Sequence, residues 1–238
     1  MVPRLLVFDL DGTLIDSHVD LANSINAMLA HLGRPELPLA VIGGYIGDGA
    51  TLLVRRALGD PEGDVHDEAY VNRALAYFLD YYSAHKLDFT FVYAGVEEAL
   101  TAVRAAHPGI AMAVLTNKPV GPSRAICAHF GLDRFFFQNY GGNSLPAKKP
   151  DPAGLLTLMA EASALAPAAP PILPSETVMI GDSEVDIQTA RNCGARSIGC
   201  SYGLAPQSLA TAAPDALADS PLEWPAALRQ VANAMTVR

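Results

Sequence analysis

Apolar residues in this chain follow two rhythms. Short runs bounded by turn residues, namely RLLVFDL (4–10), IAMAVLTN (110–117), RFFFQNY (134–140), ETVMIGDS (176–183) and ARSIGCSYG (195–203), predict buried strands. Longer stretches with apolar residues three or four apart, such as GVEEALTAVRAAHP (95–108) and DPAGLLTLMAEASAL (151–165), predict helices between them. Alternating strands and helices imply a doubly wound, Rossmann-like α/β core, a parallel sheet with helices on both faces. One gap breaks the alternation. From Asp16 to about Tyr82 there is no strand pattern, only helical stretches: HVDLANSINAMLAHLG, GATLLVRRAL and DEAYVNRALAYFLDYYSAHK. The expected organisation is a catalytic core of residues 1–15 and 83–238 with a helical cap domain, 16–82, inserted after the first strand. The stretch LAPQSLATAAPDALADSP (204–221) reads as irregular with one short helix.

Composition narrows the function classes. A chain of 238 residues can bury a sizeable core, and 16 Lys+Arg against 25 Asp+Glu give a net charge of −9, which disfavours nucleic acid or an anionic membrane as partner. Apolar residues make up 50% of the chain, yet no run reaches the roughly 20 residues a membrane span needs. The apolar stretch before Asp9 is too short for a signal-peptide core. Cys127, Cys193 and Cys200 form neither an even set nor a C-x-x-C pattern, so a reducing cytoplasm is the expected location.

The chemistry sits at the strand ends. Ligands of open parallel sheets bind beyond the carboxyl ends of the strands. The first predicted strand ends in Asp9 and Asp11, which at a period of two leave the backbone on the same side. Two carboxylates that close need a shared proton or a bound divalent ion. Other strand ends carry Thr116-Asn117-Lys118 and GDSEVD (181–186), and AKKPDP (147–152) opens a helix. If these ends converge, carboxylates without His or Cys point to Mg²⁺, and Mg²⁺ with lysine and free N–H groups suits a phosphoryl group. In the insert, Arg55 and Arg56 are adjacent on a predicted helix and point about 100° apart, so at most one is expected to reach a cleft as a substrate-binding residue. Lys148 is expected to be a solvated neighbour of Lys149, and His18 an exposed helix-start residue.

DLDGTLIDS, LTNKP, KKPDP and IGDSEVD, in this order and spacing, resemble the four motifs of the haloacid dehalogenase superfamily, in its branch of small-molecule phosphatases with a helical cap. VIGGYIGDGATLLVRRAL and YGGNSLPAKKPDPAGLL further resemble the phosphoglycolate phosphatase family. The resemblance implies a Mg²⁺-dependent phosphoric monoester hydrolase that converts 2-phosphoglycolate to glycolate and phosphate through an aspartyl-phosphate. Its runner-up is a phosphatase or mutase for another small sugar phosphate, and less so an inactive binding or regulatory protein of the same fold. The implied partner is a small-molecule phosphate ester, with no nucleic acid and no membrane, for a monomer or homodimer.

By the same resemblance Asp9 is the nucleophile and Asp11 the proton donor and acceptor. Mg²⁺ is held by the carboxylates of Asp9 and Asp182 and the main-chain carbonyl of Asp11. Thr116 and the Asn117 N–H bind phosphate, Lys149 pairs with Asp9 and phosphate, and Thr13 and Asp186 support the site. The chain departs from the pattern at Asn143, where the family has Asp, and in a longer 163–176 loop.

Overall fold

The computed structural model describes residues 2–234. In chain order the elements begin with β1 (Leu5–Phe8), β2 (Ile15–Asp16) and four helices, α1 (His18–His31), α2 (Leu39–Gly43), α3 (Ala50–Leu58) and α4 (Glu68–His85). β3 (Phe91–Val92), α5 (Val96–Ala106), β4 (Ala111–Leu115), α6 (Val120–His129), β5 (Gln138–Tyr140) and α7 (Ala153–Ala164) follow. The chain continues through β6 (Thr177–Gly181), α8 (Glu184–Cys193), β7 (Arg196–Cys200), α9 (Pro206–Ala212), β8 (Ala216–Ala218) and α10 (Trp224–Ala234).

Six strands form one sheet in the order β5-β4-β1-β6-β7-β8, and every pairing is parallel. All four residues of β1 are fully buried, as a central strand covered on both faces requires. Its alternation divides the core. Leu6 and Phe8 pack with Val96, Leu100 and Val103 of α5 and with Trp224 and Leu228 of α10. Leu5 and Val7 face Leu155 and Leu158 of α7. β1 lies between β4 and β6, the point at which the strand order reverses, so its carboxyl end opens into the crevice where such sheets bind ligands.

The four helices after β2 have their own apolar cluster, in which Ile25, Met28 and Leu29 of α1, Leu53 and Val54 of α3, and Val71 and Phe78 of α4 are buried together. This unit is rooted in an antiparallel ribbon, Ile15 opposite Val92 and Asp16 opposite Phe91. Asp20, buried in the first turn of α1, accepts hydrogen bonds from the Phe89 and Thr90 N–H groups and from the Thr90 hydroxyl, tying the outgoing chain to the returning one.

Three expectations are corrected. The strand predicted at 134–140 begins only at Gln138, because Leu132–Phe135 form a 3-10 turn that tucks Phe135 inside. Within 204–221, Ala216–Ala218 form the edge strand β8 after the short helix α9. Its alanines carry little strand propensity, and its middle residue, Leu217, faces solvent. The third is the ribbon at the root of the helical unit, for which two-residue strands leave no pattern in the sequence. Among the described residues no helix is long and apolar enough to cross a membrane.

Candidate active site

Asp9 follows β1, and its N–H donates to the Ile180 carbonyl of β6 at 2.9 Å. Asp182 and Ser183 follow β6 and open α8, where the Ser183 N–H and hydroxyl both donate to Asp186, at 3.1 and 2.7 Å. Those bonds cap the helix and fix one Asp186 oxygen. Lys149 Nζ donates to the other at 2.6 Å and lies 2.9 Å from Asp9 Oδ1 as an ion pair. Asp182 Oδ2 accepts from the Leu204 and Ala205 N–H groups at 2.7 and 3.2 Å. Gly12, at φ 82°, leaves room for this carboxylate: a Cβ there would lie 2.1 Å from Asp182 Oδ2.

Carboxylate oxygens of Asp9, Asp182 and Asp186 lie within 4.8 Å of one another, and all three residues are buried. Burial foremost, together with the Asp186 charge and against the pull of Lys149, raises the Asp9 carboxyl from its ordinary 3.8 to about 6. Burial first, then the charges of Asp186 and Asp9, pushes Asp182 well above its ordinary value. For Lys149 burial works against the charge, but Asp186 and Asp9 more than offset it and hold the ammonium charged. One ammonium, Lys149, thus faces three buried carboxylates. A buried all-oxygen cluster with surplus negative charge fits a hard divalent cation. Asp9 and Asp182 are the carboxylates free to hold it, since both Asp186 oxygens serve Lys149 and Ser183.

Asp11 turns the other way. Its carboxylate accepts from the Ser17 hydroxyl at 2.5 Å and from Lys118 Nζ at 3.0 and 3.1 Å. Thr116, at the end of β4, takes the Lys118 N–H on its hydroxyl, and the Asn117 side chain donates to the Lys149 carbonyl. Thr13 is buried with its hydroxyl unpartnered, while its carbonyl accepts from Tyr202. A cavity of about 40 Å³ lies between Asp9, Asp11, Thr116 and Lys118 on the sheet side and Ile46, Leu53, Phe78 and Tyr82 on the helical side. The helical unit is fastened over it. Asn117 donates to the Gly47 carbonyl at 3.2 Å, and Lys148 Nζ to the Asp48 carbonyl at 2.6 Å. Gly49, at φ 90°, sits where a Cβ would come within 2.9 Å of the Asn117 carbonyl.

Asp9, Asp11, Thr13, Thr116, Asn117, Lys149, Asp182 and Asp186 thus gather at one end of the sheet. The arginines do not. Arg55 is drawn to Asp60, at 3.0 Å, and Glu68, while Arg56 bonds the Tyr45 carbonyl and, at 2.6 Å, Asp48. Neither guanidinium lines the cavity, because each has acidic partners within its own helical unit. The stretch before them does line it, through Ile46, Gly47, Gly49 and Ala50. Lys148 is exposed but crosses to the helical unit rather than ending in solvent. His18 pairs with Asp16.

Lys118 received no role from the sequence, although its place two residues after a strand-end threonine was a signal. Tyr82 gave none, since it belongs to an apolar helical stripe. The two departures from the motif pattern have local explanations. Asn143 accepts from the Val120 N–H and so caps α6, a bond that either Asn or Asp can make. The 163–176 loop is held by Arg4, which donates to the Pro170 and Pro171 carbonyls before the start of β1, at the sheet end opposite the cluster.

Residues 6–200 match the profile of the haloacid dehalogenase-like hydrolases. The chain is 42% identical over 207 residues to a phosphoglycolate phosphatase of Pseudomonas putida, covering 85% of this chain and 71% of that one. It is 40% identical to a phosphoglycolate phosphatase of Psychrobacter arcticus, covering 85% of each. A crystal structure of a predicted phosphoglycolate phosphatase from Haemophilus somnus superposes with a TM-score of 0.82 at 32% identity, covering 93% of this chain and 96% of that one.

Proposed function

The chain belongs to the haloacid dehalogenase-like hydrolases, and from that membership we propose that it is a phosphatase hydrolysing 2-phosphoglycolate to glycolate and phosphate through an aspartyl-phosphate on Asp9. The observation that carries the reading is the division of labour between two neighbouring carboxylates. Asp9 faces Lys149 and the acidic cluster, Asp11 faces Lys118 and Ser17, and both line one small cavity.

Asp9 is the nucleophile: its oxygen bonds phosphorus as the ester oxygen leaves with the bonding pair. Asp11 hands the departing oxygen a proton, then takes one from the water that releases phosphate from Asp9. The Thr116 hydroxyl and the Asn117 N–H hold phosphate oxygens, and Lys149 offsets charge at Asp9. Mg²⁺, held by the carboxylates of Asp9 and Asp182 and the main-chain carbonyl of Asp11, supplies electrostatic stabilisation of the phosphoryl oxygens when bound. Asp186 holds Lys149 in place, and Thr13 supports the turn after Asp9. The helical unit, 16–82, acts as a lid over the core, 1–15 and 83–238, closing through Asn117 and Lys148 to exclude water. The helical side closes over Asp9 and Asp11 with Ile46, Leu53, Phe78 and Tyr82, an arrangement that suits a short leaving group better than a nucleoside.

Phosphate release from 2-phosphoglycolate, a hexose phosphate and a nucleoside monophosphate, each with chelator and with Mg²⁺ restored, tests the reading. The expected outcome is Mg²⁺-dependent turnover with the highest kcat/KM for 2-phosphoglycolate. A higher kcat/KM for the nucleotide would overturn the substrate, and full activity in chelator would overturn the metal.

A further inference from the structure

The cavity has an anion-binding side for which the phosphate has no use. Phosphate belongs beside Asp9, where Lys149, Thr116 and the Asn117 N–H serve it. Among the described residues Lys118 is the one cationic side chain lining the cavity. It reaches from the sheet side towards the lid, its ammonium 4.6 Å from the centre of the Tyr82 ring, and it is 5% exposed. The guanidiniums of Arg55 and Arg56 are bound to Asp60, Glu68 and Asp48 and do not line the cavity.

A second feature of the same wall points to a ligand. The Tyr82 hydroxyl is buried, its residue 2% exposed, and beside the Lys118 ammonium, which can only donate, its proton has no acceptor among the described residues. Burial foremost pushes its phenol up to about 12, so it remains a proton donor across the working range. A buried donor left unmade is costly unless something that enters the cavity accepts from it. Together the ammonium and the hydroxyl make a site for one carboxylate, a cation beside a neutral donor.

Resting on the phosphoglycolate reading, we propose that Lys118, with the Tyr82 hydroxyl, selects substrates whose leaving group carries a carboxylate, Lys118 exchanging its Asp11 partner for that carboxylate when substrate enters. The position follows from the chemistry. Asp11 serves the ester oxygen, and in 2-phosphoglycolate the carboxylate carbon lies two bonds from that oxygen. A cation already in contact with both Asp11 oxygens is therefore within reach of the substrate carboxylate.

The test compares 2-phosphoglycolate with 2-hydroxyethyl phosphate, the same skeleton with an alcohol in place of the carboxylate, for wild type, Lys118→Met, Lys118→Arg and Tyr82→Phe. Lys118→Met takes a partner from Asp11 and so is expected to slow both substrates, but to lower kcat/KM for 2-phosphoglycolate roughly tenfold or more beyond its effect on 2-hydroxyethyl phosphate, the excess mostly in KM. Lys118→Arg recovers part of the loss because it keeps the charge. Tyr82→Phe deletes one oxygen whose proton no protein group accepts, so it tests the subsite even if Lys118→Met fails to fold: it should lose several-fold on 2-phosphoglycolate alone. Equal losses on both substrates, or none on either, overturn the proposal while leaving the phosphoglycolate reading intact. A wild type that does not prefer 2-phosphoglycolate over 2-hydroxyethyl phosphate overturns both.

Discussion

Asp9 is placed where a carboxylate is least comfortable, and that discomfort is measurable. Its raised pKa of about 6 means that the folded, metal-free protein takes up a proton there while the unfolded chain, near the ordinary 3.8, does not. The folded state gains relative stability as pH falls from above 6 towards 4, and Asp182, also raised, acts in the same direction. Bound metal requires both groups ionised and should oppose this trend. The expected result is that the Tm of chelated protein rises between pH 7.5 and 5.5, rises less in Asp9→Asn, and that Mg²⁺ raises Tm more at pH 7.5 than at 5.5. A chelated protein whose Tm responds to pH identically with and without Asp9 would contradict it. At this scale the sequence was legible where a residue stands in a short motif at a strand end or helix start, as for Asp9, Asp182, Lys149 and Asp186, because the parallel sheet brings those ends together. It was not legible where the partner arrives from elsewhere. Lys118 depends on Tyr82, and the arginines on Asp48, Asp60 and Glu68, pairings that periodicity cannot reveal.

Among the elements, the root of the helical unit carries more than its length suggests. β2 and β3 contribute two residues each, too little to hold the helical unit in register alone. Asp20 supplies what the ribbon lacks, since its buried carboxylate gathers three donors from Phe89 and Thr90. Asp20→Ala would leave those donors unmet and should cost about 2–4 kcal/mol, read as a fall in the urea midpoint. Loss under about 0.5 kcal/mol would show that the clamp is dispensable. The core strands were readable because central parallel strands are continuously apolar, as LLVF and TVMIG are. The ribbon and β8 were not, because two- and three-residue strands carry no period, and β8 is held by its pairing with β7 rather than by propensity.

Across the whole molecule, the strand order explains why the motifs work at their separations in sequence. β4, β1 and β6 lie side by side, so the residues that follow them, Thr116, Asp9 and Asp182, come from distant parts of the chain to one edge, and the helical unit closes against that edge. The doubly wound class could be read from alternating patterns, whereas the closure over the strand ends rests on single contacts such as Lys148 to Asp48 that no pattern encodes. Every step of the account depends on Asp9 receiving the phosphoryl group. Acid quenching of the Mg²⁺-loaded enzyme during turnover of phosphorus-labelled 2-phosphoglycolate, followed by peptide mapping, tests this most directly. The account predicts a hydroxylamine-sensitive label on the peptide containing Asp9 and no label in Asp9→Asn. Label on any other residue, or label and turnover that survive in Asp9→Asn, would contradict it.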